Sequence, residues 1–169
     1  MYKFFTPTPE TLEELKGQYR KLAQQHHPDR GGDTATMQEI NAEYDTLFPL
    51  LKDIHKTKDG ETYTARREST ETADQFKDLI TELMKMEGIT IEIIGSFVWV
   101  TGDTKPHKER LGTLNFQWHR KKTAWYLPPD GYRPRSRKDY DLDEIRHMYG
   151  SRGKVNSRGM TKLEDTVNV

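Results

Sequence analysis

The chain has 169 residues, 27 Lys and Arg against 27 Asp and Glu, no cysteine, and a mean hydropathy of −0.97. The missing thiols exclude disulfide frameworks, thiolate zinc sites and cysteine nucleophiles, and they fit a reducing, cytoplasmic setting. The most apolar stretch, residues 89–100, is interrupted by Glu92 and Gly95-Ser96 and falls short of the roughly 20 residues of a membrane span, and no apolar signal-peptide stretch follows Met1 to Pro7.

The neutral total hides an uneven distribution. Residues 67–104 carry 3 Lys and Arg against 8 Asp and Glu, whereas residues 105–169 carry 15 against 8. A basic C-terminal third either meets something anionic or balances the acidic segment before it.

Thr11-Leu12-Glu13-Glu14 has the form of a capping box, and Leu12, Leu15, Tyr19, Leu22 and Ala23 recur at helical spacing, which predicts a helix over 13–25. Lys16, Arg20, Lys21 and Gln24 are placed on its opposite, basic face. Pro28 ends this helix by biasing His27 out of the helical region, and Gly31-Gly32 let the chain reverse. Asp33 or Thr34 caps a second helix with the stripe Met37, Ile40, Tyr44, Leu47 and Phe48, which Pro49 stops or kinks. The two stripes predict an antiparallel helical hairpin, closed by Phe4 and Phe5.

Residues 56–70 are polar and aperiodic and read as a linker. A third helix follows from about Thr72 to Glu87. Ile89, Ile91 and Ile93 then alternate, Gly95-Ser96 suits a tight turn, and Phe97 and Trp99 alternate again, which signals a β-hairpin. A short helix from Lys105 to Leu111 precedes a second hairpin, Asn115 to Trp118 and Thr123 to Leu127, with a basic tip. A last short helix spans Asp141 to Tyr149, and residues 151–169 read as a disordered tail. The fold class is therefore α+β: a helical unit over 1–55, a linker over 56–70, and a small domain of two β-hairpins and short helices over 71–150.

The tripeptide His27-Pro28-Asp29 sits between the two main helices. Tyr19-Arg20-Lys21-Leu22-Ala23 precedes it and Glu39-Ile40-Asn41-Ala42-Glu43-Tyr44 follows it. Together these residues resemble the J domain of DnaJ-like co-chaperones, over roughly residues 1–55. The resemblance implies docking on a DnaK-type chaperone and stimulation of its ATP hydrolysis through Lys16, Tyr19, Arg20, Lys21, His27, Pro28 and Asp29. A basic face would steer the encounter, Pro28 would fix the turn, and Asp29 would accept a charge-assisted hydrogen bond from a partner cation. The first helix of the family is truncated here, and no Gly/Phe-rich or Cys-rich region follows. The client would be chosen by the C-terminal part, and a docking module without stimulation stays open as an alternative.

A second constellation joins Lys105, Lys108, Arg110, Arg120, Lys121, Lys122, Arg133, Arg135, Arg137 and Lys138 to Phe116, Trp118, Trp125, Tyr126 and Tyr132. Cations interleaved with aromatic rings suit single-stranded nucleic acid, but the alternation of Phe116 with Trp118 and of Trp125 with Leu127 equally suits a core. This part is weakly similar to small phage and mobile-element modules. The six histidines lack ligand spacing, and neither a phosphate loop nor a nucleophile elbow is present, so no metal, no cofactor and no intrinsic catalysis are expected.

Overall fold

The computed structural model describes residues 1–57, 59–129, 132, 140–149, 154–156 and 161–162. Its order begins with helix α1 (Leu12–His26), a 3₁₀ turn at Pro28–Arg30 and helix α2 (Thr34–Leu51). Thr11 caps α1 by accepting from the Glu14 amide. Only half of the expected box forms, because the Glu14 carboxylate accepts from Glu10 N–H at 3.0 Å. Asp33 caps α2 through Thr36 N–H at 2.8 Å. That helix runs through Pro49 to Leu51, since a proline so near the end removes one hydrogen bond from the last turn only.

Strands β1 (Ile54–Lys56) and β2 (Thr62–Thr64) pair antiparallel in the segment expected to be a linker. Side chains from outside the hairpin hold it. Asp53 Oδ1 accepts from Ser69 N–H at 2.7 Å, and His55 Nδ1 meets Glu13 Oε1 on α1 at 2.7 Å. The expected linker is thus an ordered strap fastened to the first helix.

Helix α3 (Ala73–Met84) carries a complete capping box between Thr72 and Gln75. Strands β3 (Ile89–Ile94) and β4 (Phe97–Gly102) form the expected hairpin, turning at Gly95 with φ 55°. A 3₁₀ turn (Lys105–His107), helix α4 (Lys108–Thr113), strands β5 (Gln117–His119) and β6 (Ala124–Leu127), and helix α5 (Leu142–Tyr149) follow. Strands β7 (Lys154–Asn156) and β8 (Thr161–Lys162) lie in the tail expected to be disordered, and β7 pairs with β3. One six-stranded antiparallel sheet results, in the order β5-β6-β4-β3-β7-β8.

Alternation assigns the two faces of this sheet. Ile89, Ile91, Val98 and Val100 join Phe76, Ile80 and Leu83 of α3 and Leu15, Tyr19, Ile40 and Tyr44 of the helical hairpin in a continuous buried cluster. Ile94, Trp99 and Ala124 face the other way, toward Leu142 and Ile145 of α5. The Glu92 carboxylate, also buried, is gripped there by Arg146 through Nε–Oε1 at 2.9 Å and Nη2–Oε2 at 2.7 Å. From the sequence, a helical unit and a small α+β domain joined by a linker are expected, with contact between them left open. The core runs unbroken from the helical hairpin to the sheet, because the stripe of α3 fits between α1, α2 and the sheet, where Phe76 stacks 6.1 Å from Tyr44.

Candidate functional site

The turn after α1 is built by its own backbone. His27 N–H closes α1 on Ala23 O at 2.8 Å. His27 O then accepts from Arg30 N–H at 2.9 Å and from Gly32 N–H at 3.0 Å, and Gly31 N–H reaches Pro28 O at 3.0 Å. The His27 ring adds an internal cap, its Nδ1 accepting from Asp29 N–H at 3.2 Å. That bond requires a neutral imidazole, and burial pulls the His27 pKa down in the same direction. Gly32 is required by space: a Cβ there would stand 2.0 Å from His26 O. Gly31 is required by conformation, at φ 80°. The result is a rigid tip on which Pro28 is exposed, the Asp29 side chain is 43% exposed, and His27 is buried beneath them.

The helix leading into the tip is arranged differently. Lys16 Nζ pairs with Glu71 at 2.6 Å and lies 4.9 Å from the centre of the Phe76 ring. Tyr19 is 1% exposed, its ring 4.7 Å from Tyr44 and its hydroxyl donating to Asn41 Oδ1 at 2.9 Å. Arg20 is 2% exposed and donates through Nη1 to the Ile91 carbonyl of β3 at 2.8 Å. Burial brings its guanidinium down to about 10, still charged at neutral pH. The expected docking residues Lys16, Tyr19 and Arg20 are therefore withdrawn from the surface, because α3 and β3 pack over the side of α1 that carries them. The side left open carries Glu14, Gly17, Gln18, Lys21 and Leu22, which line a cleft of about 590 Å³ with Lys56 of β1. Of the seven residues, Pro28 and Asp29 are exposed, Lys21 is half-buried, and His27 braces them from below.

Sequence reasoning missed Arg30, whose Nη2 donates to Met86 O at 3.1 Å and ties the turn to the segment between α3 and β3. It also missed Glu13, whose Oε1 accepts from Ser96 Oγ at 3.0 Å while meeting His55. Neither had a local signal, since each partner comes from more than forty residues away.

The second constellation divides. Phe116 is buried at 4% and Leu111 beside it at 0%, so the core reading holds for Phe116. Trp118, two residues on and outside the sheet's covered centre, is 47% exposed, with its ring 5.5 Å from Trp125. Lys105, Lys108, Arg120 and Lys121 are exposed and Lys122 is half-buried. Arg110 is committed to Glu82. Lys105, Trp118 and Lys122 line one cleft of about 690 Å³ with Thr101, Thr104 and Thr123. Thr123 at φ 47° and Asn115 at φ 66° hold left-handed backbone conformations on either side of β5. For a β-branched residue such as Thr123 that costs on the order of 1–3 kcal/mol, a strain that clusters at functional sites. Arg133, Arg135, Arg137 and Lys138 lie outside the described residues. Among the described residues, no group of three or more His, Asp or Glu is placed to hold a metal ion, and no helix is long and apolar enough to cross a membrane.

No family model matches the chain, and no solved structure matches it. The chain is similar to the ER-phagy receptor 1 of Schizosaccharomyces pombe, at 32% identity over 87 residues. The matched stretch covers 52% of this chain and 22% of that receptor, about a fifth of its length.

Proposed function

We propose that the chain is a J-like co-chaperone that docks on a DnaK-type chaperone through the His27-Pro28-Asp29 turn and stimulates its ATP hydrolysis, while its C-terminal part selects the target. The observation that carries this reading is the tip itself. Asp29 stands exposed on a turn whose backbone groups are already satisfied internally, so it is free to accept from a partner cation without rearrangement. Lys21, on the open side of α1, supplies the contact next to the tip. The chain itself carries out no chemistry in this scheme, and the hydrolysis takes place in the partner.

Single-turnover ATP hydrolysis by a DnaK-type chaperone tests the reading, with the wild-type chain and Asp29→Asn compared. The side chain of Asp29 contributes little to the fold, its carboxylate lying 3.6 Å from a neutral imidazole. Loss of a charge-assisted hydrogen bond weakens docking by about 10- to 100-fold, and stimulation should fall accordingly. Absence of stimulation by a folded wild-type chain overturns the co-chaperone reading. Binding without stimulation overturns the stimulating role and leaves a docking module.

A further inference from the structure

We propose that the β5–β6 hairpin and the adjoining turn at Lys105–His107 form a binding surface for single-stranded nucleic acid. The inference is independent of the docking tip and rests on three observations. The first is an aromatic platform. Trp118 lies on β5, the edge strand of the sheet, with nearly half its surface open, and its indole is steadied by the tilted ring of Trp125. An indole held this way offers a face to any unpaired base, whereas bases in a duplex are already stacked on one another.

The second observation is charge placed around the platform. Lys105 and Lys122 line the same cleft as Trp118, and Lys108, Arg120 and Lys121 follow directly on those two segments with exposed side chains. Across residues 105–127 the sole carboxylate is Glu109, and Asp103 is the one acidic residue lining the cleft. Thr101, Thr104 and Thr123 add hydroxyls of the kind that contact phosphate and sugar oxygens. The third observation is the left-handed Thr123, which turns the chain back immediately after Arg120-Lys121-Lys122. A relaxed turn would place Gly or Asn there. The strain sits where Arg120 and Lys121 are exposed beside an exposed ring, while Lys122 Nζ lies 3.1 Å from His119 Nε2.

The chemistry favours a single strand over other anionic partners. Stacking uses the flat face of Trp118, and the flanking cations track a backbone that continues past it. An acidic peptide offers no π-face, and a lipid surface would call for a broader apolar patch than one indole bordered by threonines.

The test is fluorescence anisotropy of the full chain with labelled 20-nucleotide dT and rU strands, a duplex of equal length, and anionic vesicles as a competing surface. Binding of the single strands is expected to exceed that of the duplex. If three or four phosphates are neutralised, affinity should fall roughly 20- to 50-fold between about 50 and 200 mM salt. Trp118→Ala should weaken binding about 10- to 100-fold and Trp118→Phe far less, because a phenyl ring still stacks. Lys105→Ala should weaken binding to both strands alike and lower the salt slope by about 0.7. Circular dichroism checks that each variant is folded. Three outcomes overturn the proposal: no binding at low salt, which leaves the cations guarding the free edge of β5; binding indifferent to both Trp118→Ala and Lys105→Ala in folded variants; or vesicle binding in place of strand binding.

Discussion

The tip at residues 27–30 and the helix just before it belong to one recognisable pattern, yet the structure treats them in opposite ways. Pro28 and Asp29 stand in solvent, whereas Lys16, Tyr19 and Arg20, a few residues upstream, are turned inward and bonded to Glu71 just before α3, to α2 and to β3. A turn's geometry is local, set by Pro28, the two glycines and a few backbone hydrogen bonds. Exposure of a helix face is decided by what the rest of the chain packs on it. A motif therefore transfers shape more safely than it transfers surface.

The sharpest way to break this contrast is at Arg20. Were it a surface cation, Arg20→Ala would change stability by about 0.5 kcal/mol or less. As a buried guanidinium bonded to the Ile91 carbonyl, its loss removes a charge-assisted hydrogen bond to β3 and the packing of a fully buried stem, and should cost about 3 kcal/mol. For a chain of this size that lowers Tm by roughly 10 °C, which thermal denaturation followed by circular dichroism would register. A variant melting within about 2 °C of wild type would return Arg20 to the surface and restore the basic docking face. Asp29→Asn is the control from the other side of the comparison. It should leave Tm almost unmoved while weakening docking by about 10- to 100-fold.

A paired substitution tests the same core at smaller amplitude. The Tyr19 hydroxyl donates to Asn41, so Tyr19→Phe should cost about 1 kcal/mol. The Tyr44 hydroxyl, equally buried and packed against the same rings, has no hydrogen-bond partner among the described residues. Tyr44→Phe should therefore be neutral or stabilise by up to about 1 kcal/mol, since it removes an unsatisfied polar atom without opening a cavity. Urea midpoints moving in opposite directions would support this account of the shared core. Equal losses for both would show that the Tyr44 hydroxyl is satisfied.

The same division separates what was legible in the sequence from what was not. The helices α1, α2 and α3, the caps at Thr11 and Asp33, the start of α3 at Thr72, and the β3–β4 turn at Gly95-Ser96 depend on residues within a few positions of one another, and they appear where spacing predicts them, although α3 ends at Met84 and not at Glu87. The burial of Arg20 depends on a carbonyl 71 residues away, and the joining of both β-hairpins into one sheet depends on β4 meeting β6. The strap at β1–β2 is held by Asp53, Glu13 and Ser69, not by any alternation of its own, so its composition reads as a linker. Phe116 and Trp118 share a parity that cannot tell a ring under the sheet from one at its edge. For the candidate site, the tip was readable and its surroundings were not.

The smallest effect concerns that strap and is best isolated by pH. The hydrogen bond to Glu13 raises the His55 imidazole above its ordinary value of about 6.5, against the opposing effect of burial. A histidine whose folded pKa is raised contributes stability that is full below the unfolded value and is lost as pH rises through the folded one. His27 acts with the opposite sign: burial lowers its folded pKa, so protonation of the unfolded ring withdraws stability as pH falls below about 6.5. The two partly cancel in the wild-type profile, which should look flatter than either alone. Comparing wild type with His55→Gln removes the His27 contribution, because it is common to both. The difference in urea-derived stability should be on the order of 1 kcal/mol below about pH 6.5 and shrink as pH rises through the raised folded value. A difference that grows with pH instead would mean that His55 is held neutral, with Glu13 supplying only an acceptor for its N–H. The strap would then be fastened to α1 by a neutral hydrogen bond in place of an ion pair.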